Sequence, residues 1–260
     1  PDAVGHRRQR RGSTAVVRIR VRFTKHGKVR FTSHRDVARL WERALRRAEL
    51  PVATSEGFTP RPKLHFGLAL STGHESEGEY LDIDLLEPEG QAVDLEALPA
   101  QLSPLLPPGL EVQVAAVVDR ADDSLQKAVT SCSWRIEVPG TAPAALAAAT
   151  EAMLARETVQ VTRERKGKPV TDDLPPGILH LSVDGPTPPD APEPGAVLVA
   201  ELATHPRSVR PAELLAAFDP PLAEGRVCRT HQWITADGAT REPLLPLGAP
   251  STAQPTARAS

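Results

Sequence analysis

Short runs of alternating apolar residues, amphipathic helical stretches between them, and the order β-α-β-β-α-β in both halves predict an α+β fold. The expected architecture is two tandem ferredoxin-like (βαββαβ) units packed together, over residues 16–120 and 130–234. A disordered basic arm (1–15) and a disordered Pro-, Ala- and Thr-rich tail (235–260) are expected to flank them.

Val17 to Phe23 alternates apolar and basic residues strictly, the period of a half-buried strand. His26-Gly27-Lys28 marks a turn, and Val29 to Phe31 reads as a short extended piece. Ser33 opens a helix with Asp36 three residues on, a capping-box-like start in which the carboxylate also suits the helix N-terminus. Val37, Leu40, Trp41, Ala44, Leu45 and Ala48 then form one apolar stripe of a helix over about 34–48, which Pro51 stops. Glu56 to Lys63 holds two prolines and a glycine, and this forces a loop. Leu64, Phe66, Leu68 and Leu70 alternate as a strand, as do Leu81, Ile83 and Leu85 after a turn over 71–78. A helix over 94–105 and a strand over 110–118 complete the first unit.

The second unit repeats the order. Trp134, Ile136 and Val138 mark a strand, 144–155 an Ala-rich helix, and 159–163 a strand before the basic turn Arg163 to Lys168. Strands follow over 178–183 and 196–202, parted by a loop with five prolines. Pro211 suits the first turn of a helix through Phe218, and 226–233 reads as the closing strand.

The net charge of −2 conceals an asymmetry. Residues 1–70 hold 17 Lys+Arg and 5 Asp+Glu, a net of +12, whereas 71–260 hold 14 and 28, a net of −14. Such a division points to an electrostatic surface, an internal neutralisation, or both. Arg18, Arg20 and Arg22 share one face of the first strand. Arg35, Arg39, Arg43 and Arg46 form a ridge beside the apolar stripe of the first helix, with Arg47 next to it. The Gly57-to-Lys63 loop adds Arg61 and Lys63, and His65 follows on the face of Lys63. Arginine forks on a rigid surface suit phosphate recognition, and binding would depend strongly on salt. The rival reading has Asp82 and Asp84 neutralise the strand arginines from a neighbouring strand.

Other chemistry is sparsely marked. Aromatics are 3 %, so base stacking has few platforms. No His-Glu-x-x-His, Cys-x-x-Cys, EF-hand run or glycine-rich phosphate loop occurs, and no metal or cofactor is expected. Glu75, Glu77 and Glu79 share a face if extended and read as solvated turn acids. His34, just past the cap, is a weak candidate general acid/base. Cys132 and Cys228 read as small buried or partly buried thiols, which fits a reduced, cytoplasmic setting. No secretory signal or apolar run of ~18 residues is found, so no membrane association is expected.

The runs Arg30 to Asp36, Glu42 to Ala48, Ser55 to Leu64 and Glu75 to Asp82 resemble a radical-SAM-associated bacterial domain of unknown function. That domain is found fused behind radical-SAM enzymes or in a stand-alone form. The resemblance is specific over about 16–86 and loose to about 233. It implies a bacterial cytoplasmic protein with a radical-SAM enzyme as partner, and it carries no known reaction. This chain lacks the Cys-x-x-x-Cys-x-x-Cys of such an enzyme, so it is not itself the radical-SAM catalyst. Arg35 stands where relatives often carry Leu, and Glu56 where they often carry Gln; both lie in the candidate anion site. In outline the tandem units, an early His and basic loops are also similar to CRISPR-RNA-processing endoribonucleases, whose glycine-rich C-terminal loop is not visible here.

The function expected from these features is a non-catalytic RNA- or anion-binding accessory module, working with a radical-SAM enzyme of the RNA-modifying type. The alternatives are a protein-interaction subunit that docks on that partner through the acidic stretch 75–96, and a metal-independent endoribonuclease using His34.

Overall fold

The computed structural model describes residues 15–56, 58–165 and 168–245. In the first half, β1 (Val16–Lys25) passes through a 3-10 turn (Gly27–Phe31) into α1 (His34–Arg47). β2 (Leu64–Phe66), β3 (Glu75–Leu86), α2 (Leu98–Leu102) and β4 (Val112–Val118) follow. A short helix, α3 (Leu125–Ala128), leads to β5 (Ser131–Pro139) and α4 (Pro143–Leu154). The hairpin β6 (Gln160–Arg165) and β7 (Lys168–Asp173) precedes β8 (Ile178–Pro186), β9 (Gly195–Ala203), α5 (Pro211–Ala216) and β10 (Val227–Ala236). β11 (Ala239–Arg241) folds back on β10.

The fold is mixed α+β, with few helices on one large open sheet. Nine strands run in the order β4-β1-β3-β10-β5-β9-β8, with β2 beside β3 and β11 beside β10. Every pairing in it is antiparallel except the join between the halves. There β3 and β10 run parallel through only two residue pairs, Glu75–Cys228 and Ser76–Arg229. β3 can serve both halves because β2 takes the far end of the same edge, at Leu81 to Ile83.

Alternation decides what each face does. Ile19, Val21 and Phe23 of β1 and Leu81, Ile83 and Leu85 of β3 point at α1 and α2. They meet Val37, Trp41, Ala44 and Leu45 of α1 and Leu98 and Leu102 of α2; Phe23 packs edge-on to Trp41 at 4.9 Å. Each such large side chain contributes about 1.5–3 kcal/mol by leaving water. A second core joins Trp134, Ile136, Val138, Leu198 and Ala200 to Leu146 and Met153 of α4 and Leu214 and Leu215 of α5. Gly109 closes the first core: at φ +95°, a Cβ there would lie 2.2 Å from the His26 carbonyl oxygen.

Several expected elements change. Val29 to Phe31 belongs to the 3-10 turn rather than an extended piece, because buried Val29 must reach the core from a turn fixed by Gly27. The strand expected over 64–70 ends at Phe66, and β3 starts earlier, at Glu75. The helix expected over 94–105 shrinks to 98–102 plus a 3-10 turn, and β7 was not foreseen. The disordered tail expected from 235 begins too early: β10 continues to Ala236, β11 pairs with it, and Glu242 is buried. The arm 1–14 and residues 246–260 lie outside the described residues. No described helix is long and apolar enough to cross a membrane.

Candidate functional site

Three groups of cations were set out by the sequence, and the fold treats them differently. On β1, Arg18 stands opposite Asp84, Arg20 opposite Asp82 and Arg22 opposite Tyr80. Arg20 forks onto Asp82 with 2.7 and 2.9 Å hydrogen bonds, and Arg18 donates to Asp84 at 2.7 and 3.2 Å. Arg22 donates to the Tyr80 hydroxyl at 3.3 Å, to Glu242 at 3.3 Å and to Gln113. Arg20 and Arg22 are buried and Arg18 partly buried, and each is neutralised by a carboxylate. His65 joins them, 3.4 Å from Arg18 and 3.5 Å from Asp84, so it belongs to this cluster rather than to the loop cations. Burial pushes the Asp84 carboxyl up, but hydrogen bonding and charge from Arg18, aided by His65, outweigh it and hold the group below the usual range.

The ridge on α1 stays exposed. Ser33 caps the helix by accepting the Asp36 N–H at 3.2 Å and donating to its carboxylate at 2.7 Å. That hydrogen bond leads in holding the exposed Asp36 carboxyl below its ordinary value, with Arg39 at 3.1 Å adding to it. Arg35, Arg43, Arg46 and Arg47 are exposed and have no ion pair among the described residues. Beside the ridge runs an open groove of about 610 Å³, where Lys28, Arg39 and Arg43 rim a floor of Val29, Leu40, Pro107 and Pro108.

The loop forms the third group. Bridges between Val52 and Leu85 and between Thr54 and Pro62 close its neck, and Ser55 and Arg61 exchange hydrogen bonds at 2.8 and 3.1 Å. Gly57 lies outside the described residues. Arg61 and Lys63 are exposed and without an ion pair among the described residues, and Phe58 is fully exposed at the tip. Phe31 is exposed too, with the Arg30 guanidinium 4.7 Å from its ring centroid. Neither phenylalanine was singled out from the sequence. Each is an aromatic set in a turn beside a basic residue, and that was the available signal.

His34 opens α1 and is exposed, its ring 5.1 Å from Phe66 in an edge-on contact. No carboxylate or second imidazole hydrogen-bonds to it among the described residues. Glu75 and Glu77 both lie against the His26 ring, whereas Glu79 is committed to the interior. Glu75 takes Arg30 at 3.0 Å and the Gly27 N–H at 2.9 Å, and Glu79 is bound to buried Arg229 at 2.6 Å. Glu77 stays half exposed, 3.4 Å from His26. His26, Glu77 and Cys228 bring potential metal donors within 4.8 Å of one another. Burial, with Glu77 and Glu75 nearby, pushes the Cys228 thiol up to about 12, so at neutral pH this donor is a protonated thiol. Cys132, wholly buried, is pushed up to about 11.

A family model described as an uncharacterized protein conserved in bacteria (DUF2344) matches residues 18–211. That span takes in β1 to the start of α5, and with it the ridge, the loop and the paired strand arginines. No curated protein matches the chain.

Proposed function

The chain belongs to the DUF2344 family of uncharacterized proteins conserved in bacteria, and from that premise we propose a non-catalytic accessory module that binds RNA or a similar polyanion. One observation carries this reading. The fold pairs each strand arginine with a carboxylate, yet leaves Arg35, Arg43, Arg46, Arg47, Arg61 and Lys63 exposed without acidic partners among the described residues. A cationic ridge beside a groove suits a phosphate backbone, and exposed Phe58, in the same loop as Arg61, supplies a face on which a base can stack. The lack of an orienting partner for His34 speaks for binding rather than RNA cleavage. Docking through the acidic stretch is a weaker alternative, because Glu75 and Glu79 are committed to internal pairs.

The resemblance of the N-terminal segments supports a radical-SAM enzyme as the partner that performs chemistry on the bound RNA. The two halves, each with strand order fourth-first-third-second along the sheet, are read as tandem ferredoxin-like units that share their edges. The test is RNA binding by the intact chain across a salt series, with tRNA as the probe. Wild type is expected to show a steep salt dependence, and Arg61→Ala/Lys63→Ala to lower the log–log slope by about 1.4, from two lost single-strand phosphate contacts. Weak, salt-insensitive binding that is equal in both proteins would sink the reading.

A further inference from the structure

Where the halves meet on the helix-bearing face, a cleft of about 410 Å³ opens between the start of α1 and the start of α5. That volume falls in the range of small-molecule sites, ~300–1,000 Å³. His34 and Arg210 stand at its rim, both exposed and neither ion-paired among the described residues. Ser71 and Ser208 add hydroxyls, and Trp134 with Leu70 gives one wall an apolar character. No aspartate or glutamate is among the described residues that line it.

The floor is Arg229, 1 % exposed, which donates to Glu79 at 2.6 Å and to the Leu68 carbonyl at 2.9 Å. Its guanidinium carbon lies 5.6 Å from the Trp134 ring centroid. Among the described residues, hydroxyls and an unpaired arginine without carboxylates suit an anion. The space exceeds what a bare phosphate fills, and the apolar wall suits a planar ring.

We infer that this cleft binds a nucleoside monophosphate unit, its phosphate at His34 and Arg210 and its base toward the Trp134 wall. The unit is either a free nucleotide or the phosphorylated end of an RNA. This site is separate from the α1 ridge, and it holds or fails independently of polyanion binding there.

Calorimetric titration of the full chain with AMP, UMP and inorganic phosphate tests it, alongside short RNAs with and without a 5′-phosphate. Saturable binding of a nucleotide is expected, tighter than phosphate and about tenfold weaker in Arg210→Ala, equivalent to about 1.4 kcal/mol. The Arg210 N–H, not its side chain, holds Glu213 at 3.1 Å, so this variant keeps the turn into α5. His34→Gln is a second rim variant expected to weaken binding, while Arg120→Ala, at an exposed arginine outside the cleft, is expected to leave nucleotide affinity unchanged. A preference for phosphorylated RNA ends assigns the site to RNA; equal RNA binding with retained AMP or UMP affinity assigns it to free nucleotides. No saturation at millimolar nucleotide, phosphate binding as tightly as the nucleotides, or wild-type affinity in both rim variants would overturn the proposal.

Discussion

Asp82 and Arg20 illustrate what a buried charge demands of its partner. Both are almost wholly shielded, and their two hydrogen bonds satisfy groups that water no longer reaches. Asp82→Asn leaves the guanidinium uncompensated, and chemical denaturation is expected to show a loss of about 3–5 kcal/mol. The joint replacement Arg20→Met/Asp82→Leu is expected to recover most of that loss, since removing both charges removes the desolvation cost. Asp84 adds a pH signature. Its folded carboxyl sits below the ordinary value of about 3.9, so its contribution is present above that pH and is lost as pH falls through the folded pKa. Asp84→Asn is therefore expected to flatten the acid limb of a stability-versus-pH curve measured from pH 6 downward; an unchanged limb would contradict the assignment. The alternation of β1 made the shared face of its arginines legible. It also allowed Asp82 and Asp84 to be named as rival partners, but not the choice between neutralisation and an open surface, because Asp82 lies 62 residues from Arg20 along the chain and register is a property of the sheet.

Among the elements, α1 was the most legible. Its stripe, its cap and its stop at Pro51 are local features, and the helix begins at His34 as expected. The Ser33 cap gives a measurable consequence: Ser33→Ala is expected to cost about 1 kcal/mol by releasing the Asp36 N–H, with no effect on tRNA binding by the ridge if α1 stays formed. β3 was legible only in part. Its apolar half announced itself through Leu81, Ile83 and Leu85, but its start at Glu75 carries acids and a glycine that read as a turn. Tertiary partners override that local reading: Arg30, Arg229 and Gln232 hold Glu75, Glu79 and the Gly78 carbonyl. The exposed ridge and loop of the candidate site were readable for the same reason as α1. The inter-half cleft was not, since it joins residues from 34 to 229 that no spacing rule relates.

At the level of the whole molecule, two cores share one sheet, and the join is narrow. Beyond the two parallel residue pairs, it includes the Arg229–Glu79 ion pair, Gln232 donating to the Gly78 carbonyl at 2.8 Å, His74 against Glu224 at 3.2 Å, the contacts of Arg22 and Tyr80 with Glu242, and Leu68 and Leu70 packed on the second core. Glu79→Gln strips the buried guanidinium of its counter-charge at that join. Calorimetry is expected to show a single melting transition in wild type and two in this variant, as the halves lose their coupling. One transition at a uniformly lower temperature would mean that the cores are coupled by other contacts. The order of elements in each half was legible because each half is built from local periodicities. The fusion of both into one sheet was not, because it depends on two residues of β3 meeting two of β10.

The contact of Glu242 with Arg22 and Tyr80 also bears on how the protein is made. The two ends of the Arg22–Glu242 pair are separated by 220 residues. At roughly 5–20 residues per second, a ribosome needs about 10–45 s to travel that distance. Throughout that interval β1 can pair with β3 and β4, but the guanidinium of Arg22 waits for its carboxylate. β1 is thus completed long after it is made, because its last carboxylate partner follows 220 residues later.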